Sequence, residues 1–133
     1  MTIEARLHRS QGALTTLSNG KHVWNADVAK TLGSDDLAPN PHDLLNSALA
    51  ACTALTLELY LRRQRWPVTS LQVKIEHAET RGDDGKVNYQ LQREITVTGD
   101  LTEEQRARLL EIAEKCPIHK VLEGAVSINT QLS

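Results

Sequence analysis

Cys52 and Cys116, with His119 three residues beyond the second, are the residues of this 133-residue chain best suited to chemistry. A thiol becomes a nucleophile or a metal ligand only as the thiolate, so its surroundings decide what it does. Cys52 sits in Ala50-Ala51-Cys52-Thr53-Ala54, inside an apolar stretch, and Cys116 begins Cys116-Pro117-Ile118-His119. Proline cannot continue a helix, so Cys116 stands at a helix break. There it can occupy the N-terminus of the next helical turn, where the dipole and a nearby imidazolium favour the thiolate. Each thiol also has a plain reading as a small buried hydrophobe, the usual state of a free cysteine. The two cysteines lie 64 residues apart with no Cys-x-x-Cys, which excludes zinc-ribbon spacing and a thioredoxin motif. Cys52, Cys116, His119 and His42 lack any metal-ligand spacing, so no metal and no cofactor is expected. There is no Gly-x-Ser-x-Gly elbow and no glycine-rich phosphate loop. His8, His22 and His77 fall in strand or turn segments and read as surface residues.

The elements that must position these residues follow from periodicity. Ile3, Ala5 and Leu7 alternate with polar residues, a strand signature. Residues 13–17 and 21–26 are expected to be two more strands, joined at Asn19-Gly20, which tolerates positive φ and marks a hairpin. Residues 33–41 read as a loop. Asn40 then caps a helix with Pro41 in its first turn and Asp43 at the positive end of its dipole. From Leu44 to Leu61 this helix is apolar on nearly every side, with Leu44, Ala48, Cys52, Leu55 and Leu59 on one stripe. A helix apolar all round is buried all round. One sheet covers one face, and a second copy of the chain is the simplest cover for the other. Arg62, Arg63 and Arg65 followed by Trp66-Pro67 end the helix.

Two alternating segments, 68–79 and 87–98, flank the turn-rich loop 81–86. Thr102 with Gln105 forms a capping box for a second helix ending at Cys116-Pro117. Residues 119–122 suggest one more helical turn and 125–130 a last strand. The expected order is β-β-β-α-β-β-α-β, an α+β fold with a mainly antiparallel sheet. The expected domain is single, residues 1–133.

Composition narrows the function. A hydrophobic fraction of 40% and a charged fraction of 24% fit a globular chain of a size that buries roughly two-thirds of its unfolded surface. A net charge of −2 argues against nucleic-acid binding, which needs a basic face. With two tryptophans, two tyrosines and no phenylalanine, the core must be built from aliphatic side chains. The N-terminal residues lack a signal-peptide pattern and no run of 18 apolar residues occurs, so a cytoplasmic protein with no membrane span is expected.

The segments Asn40-Pro41-His42-Asp43-Leu44-Leu45, Ala48 to Ala54, Arg63 with Trp66-Pro67, Gly99 to Thr102 and Ile112 to His119 together resemble the OsmC/Ohr family. These are the osmotically induced protein C and organic hydroperoxide resistance proteins. The resemblance spans nearly the whole chain, and Thr53-Ala54-Leu55-Thr56 with Cys-Pro-Ile-His looks closer to an OsmC-like branch than to the hydroperoxide-resistance branch. It implies an intertwined homodimer with long central helices between two sheets. It also implies a thiol-dependent peroxidase, with Cys52 as peroxidatic thiol, Cys116 as resolving thiol, an organic hydroperoxide as substrate and a dithiol as reductant. In the family's peroxidases a glutamate after the Asn-Pro holds an arginine that activates the first cysteine. Here that glutamate is replaced by His42 with Asp43 beside it, and the early hairpin offers Lys21 and His22 instead of an arginine. Activation then falls to other groups, such as His42, Asp43 or His119. A ligand-binding or redox-sensing dimer without peroxidase turnover is the alternative.

Overall fold

The computed structural model describes residues 1–133 and divides into two units, Met1–Leu45 and Asn46–Ser133. In the first, β1 (Glu4–Leu7), β2 (Thr15–Ser18) and β3 (Val23–Ala26) form an antiparallel sheet in the order β1-β2-β3. The Asn19 side chain accepts the Lys21 and His22 backbone N–H groups at 2.9 and 2.7 Å, and Gly20 takes φ +90°. The hairpin therefore turns where Asn-Gly predicts. The loop that follows is tied by Asp27, a buried carboxylate. It accepts the Ser34 hydroxyl and the backbone N–H groups of Val28 and Leu37. Burial without such partners would be costly; with three donors the charge is held.

Helix α1 (Pro41–Gln64) begins at the cap read from sequence: Asn40 Oδ1 accepts the Asp43 N–H at 2.8 Å, and Asp43 Oδ2 accepts the Asn40 N–H at 3.2 Å. It ends in a Schellman motif, with Trp66 N–H on the Leu61 carbonyl and Arg65 in the left-handed region at φ +56°.

In the second unit, β4 (Val68–Arg81) and β5 (Val87–Gly99) form a long antiparallel hairpin, in register from Val68↔Gly99 to Arg81↔Val87. A Cβ on Gly99 would overlap the Pro67 carbonyl, so only glycine lets β5 end against the start of β4. One face of the hairpin presents Leu71, Val73 and Ile75 from β4 and Leu91, Arg93, Ile95 and Val97 from β5, all half-buried, while residues between them are exposed. Helix α2 (Glu103–Ala113) starts at the complete Thr102–Gln105 capping box. Leu57 and Leu61 of α1 pack with Leu109, Ile112 and Ala113 of α2 and with the apolar hairpin face. Fully burying a side chain such as Leu57 is worth about 2 kcal/mol. Near the other end of α1, Asn46 accepts the Tyr89 hydroxyl at 2.7 Å and meets His77 Nδ1 at 2.7 Å.

The α+β class with antiparallel pairing is as expected. Two details differ. The face of α1 that is buried carries Leu49, Thr53, Leu57 and Leu61, whereas Leu55 and Leu59 are 63% and 59% exposed. One hairpin and one helix cover only one side. At mean hydropathy 1.4, α1 is as apolar as a membrane span, but this buried face is packed into a protein core. The last strand does not form: the chain ends in α3 (Pro117–Glu123), longer than the expected turn, and 125–130 are not in a strand. Val126 and Ile128 have strand-like spacing but are 65% and 85% exposed, because no strand of this chain pairs with them.

Candidate functional site

Three of the expected site residues converge in the second unit. After α2, Cys116 N–H closes on the Ala113 carbonyl, and Pro117 occupies the first turn of α3. Cys116 thereby becomes the N-cap residue of α3, and its sulfur accepts the His119 N–H at 3.4 Å. A thiol takes the place usually filled by a serine or aspartate. Cys52, three turns into α1, is half-buried, and Cys116 is fully buried; both are free. The two thiols lie close enough to influence each other's ionisation.

The pair divides its ionisation unequally. Burial pushes Cys52 up, and the bond to Cys116 pushes it further, against hydrogen bonds with Ile118 N–H and Thr56. Burial also raises Cys116, but hydrogen bonds from Cys52, from the backbone N–H groups of His119 and Ile118 and from Thr53 outweigh it, leaving this thiol below its ordinary value. The two thiols lose their protons as a coupled pair.

Behind Cys116 lies a polar chain. Thr53, fully buried in α1, donates its hydroxyl to the Leu49 carbonyl at 2.7 Å and accepts Arg93 Nη1 at 3.1 Å. Arg93 Nη2 is 3.1 Å from His119 Nδ1, and His119 Nε2 is 2.7 Å from Glu123 Oε1. Arginine only donates, so Nδ1 must accept and the His119 proton sits on Nε2, facing the carboxylate. Arg93 is the cation at the far side of Thr53 and His119 from the thiols.

His42 and Asp43 lie in the first turn of α1, within the first unit, where Asp43 serves the helix cap. Lys21 and His22 stay at the exposed hairpin. No three His, Cys, Asp or Glu side chains gather as a metal site. Sequence reasoning passed over Arg93 and Thr53, although both carried a signal. Arg93 is in phase with Leu91, Ile95 and Val97, and an arginine on the core face of a strand needs a buried partner. Thr53 shares the buried helical stripe of Leu49, Leu57 and Leu61.

A small α+β protein that pairs one thiol from a core helix with another from a helix break defines the class. Residues 33–131 match the family described as OsmC-like protein, and the chain belongs to that family. A search of curated protein sequences gives no significant match. Solved structures agree on the fold. An OsmC-like protein from Mycoplasma pneumoniae is similar with TM-score 0.78 at 19% identity, covering 92% of this chain and 86% of that one. An organic hydroperoxide resistance protein from Elizabethkingia anophelis gives 0.72 at 21%, covering 93% and 89%. The organic hydroperoxide resistance protein OhrB of Bacillus subtilis gives 0.67 at 21%, covering 92% and 90%.

Proposed function

We propose that the protein is a thiol-dependent peroxidase that reduces organic hydroperoxides, with Cys52 as the peroxidatic and Cys116 as the resolving thiol. The observation that carries this is the approach of two free thiols, delivered by α1 and by the break before α3, close enough to influence each other's ionisation. Family membership and the hydroperoxide-resistance names of similar folds support it.

Cys52 is the partly exposed thiol, so a peroxide meets it first. Its thiolate attacks the terminal oxygen of the hydroperoxide. The S–O bond forms, the O–O bond breaks, and the leaving alkoxide takes a proton to become the alcohol. Cys52 is left as a sulfenic acid. The Cys116 thiolate then attacks that sulfur, forming the disulfide and releasing hydroxide, which leaves as water. The hydrogen bonds that hold Cys116 below its ordinary value serve this second step. A dithiol reductant restores both thiols by exchange. The apolar helix face carrying Leu55 and Leu59 is the surface on which a second copy would pack, giving a homodimer. A reducing cytoplasm suits the resetting step.

Purified protein with an organic hydroperoxide and a dithiol tests the proposal. Wild type should consume peroxide catalytically and Cys52→Ser should not; equal rates for the two would overturn it. The raised Cys52 thiol favours a second reading, a redox-sensing dimer. That reading predicts a stable intrachain disulfide with slow turnover.

A further inference from the structure

We propose that Arg93 is the positioning cation of the thiol pair, acting on Cys116 through the Thr53 hydroxyl. This rests on the thiol pair being the working centre and adds the group that prepares it. Arg93 stands on the core face of β5, opposite Ile75 of β4, where a cation has no place unless it is held. It is held twice, by Thr53 at 3.1 Å and by His119 at 3.1 Å. Neither partner is a carboxylate, so the positive charge is not spent on an ion pair. The carboxylate of Glu123 sits one residue further out and fixes the His119 ring, not the guanidinium.

The Thr53 oxygen has one hydrogen and two lone pairs. In the structure the hydrogen points to the Leu49 carbonyl while Arg93 occupies a lone pair. The same oxygen is within hydrogen-bond reach of Cys116. When Cys116 gives its proton to water, the hydroxyl hydrogen turns to the sulfur. An N–H from a guanidinium on the oxygen makes that hydroxyl a stronger donor. Beside the thiols stand the Thr53 and Thr56 hydroxyls of α1 and the Ile118 and His119 N–H groups of α3, with Glu123 beyond the His119 ring. Glu114 and Lys115, after α2, are exposed.

The test follows thiolate ultraviolet absorbance against pH in wild type, Arg93→Met, Arg93→Lys, Thr53→Val and the Arg93→Met/Thr53→Val double variant. Arg93→Met should move the titration to higher pH and slow iodoacetamide alkylation at neutral pH about tenfold, the effect of one charge-assisted hydrogen bond. Arg93→Lys should recover most of the loss, which a purely structural role would not require. Thr53→Val should shift the titration by itself, and Arg93→Met should add little on that background. A wild-type profile in Arg93→Met overturns the proposal, as does an undiminished Arg93→Met shift in the double variant. If Arg93→Met does not fold, an unshifted Thr53→Val overturns it. Hydroperoxide consumption is measured alongside. Wild type that consumes none, with thiols still following Arg93, sinks the peroxidase and leaves this proposal standing; consumption with thiols indifferent to Arg93 does the reverse.

Discussion

Replacing Thr53 by valine keeps the shape of a fully buried side chain and removes only its hydroxyl. Three consequences set the sign. The Leu49 carbonyl is within a helix and loses only an extra donor, at little cost. Arg93 Nη1 loses its acceptor; hydrogen bonds to charged groups are worth about 1.5–3 kcal/mol, discounted to about 2 because Arg93 is only partly buried. Against this, exchanging a buried hydroxyl for a methyl returns about 1 kcal/mol. Helix propensities of threonine and valine are similar, so no further correction applies. The net expectation is destabilisation of about 1 kcal/mol in an otherwise wild-type chain. On an Arg93→Met background the guanidinium is gone, and at a pH where Cys116 keeps its proton only the methyl gain remains, so the same change should stabilise by about 1 kcal/mol. The cycle therefore predicts a reversal of sign and a coupling of about 2 kcal/mol. Urea unfolding at fixed protein concentration reads it, with single-variant midpoint shifts of about 0.5 M for an ordinary urea slope. Equal effects of Thr53→Val in both backgrounds would refute the idea that the hydroxyl exists to seat the guanidinium.

Further predictions concern the scaffold. Asp27 is held below the usual carboxylate value by the Ser34 hydroxyl and the Leu37 and Val28 N–H groups, against burial. A lowered carboxylate stabilises the fold above its unfolded value of 3.8 and loses that contribution as pH falls through the lower folded value. Asp27→Asn should therefore narrow the difference between urea midpoints at neutral pH and at pH values below 3.8; an unchanged difference would count against it. Arg65 pays for a left-handed conformation at the end of α1. Arg65→Gly should raise stability by about 1 kcal/mol, seen as a higher thermal midpoint, and a lower midpoint would show that the arginine side chain matters more than its backbone.

Local chemistry made much of this fold legible. The Asn19-Gly20 turn, the Asn40–Asp43 cap, the Thr102–Gln105 box and the alternation of β4 and β5 each act over a few residues, and each forms where the sequence signals it. Residues 125–130 carry the same alternation, but pairing needs a neighbour, which alternation cannot supply. Which stripe of α1 is buried was equally hidden, since a helix apolar all round has no preferred side until its neighbours are placed. For the site, Cys52 and Cys116 were marked by residue type and setting, but their mutual approach depends on a contact between distant segments. His119 was marked as well, though its contact with Arg93, 26 residues away in sequence, was not. His42 and Asp43 drew notice because they flank a helix start, where Asp43 has capping work to do.

The central claim is that hydroperoxide oxidises the two thiols to one bond. Reduced protein treated with one equivalent of an organic hydroperoxide, then digested and mapped by mass spectrometry, tests it most directly. A Cys52–Cys116 disulfide within one chain should form in step with one equivalent of alcohol. Hydroperoxide left unconsumed, or Cys52 driven to sulfinic acid while Cys116 stays a free thiol, would contradict it.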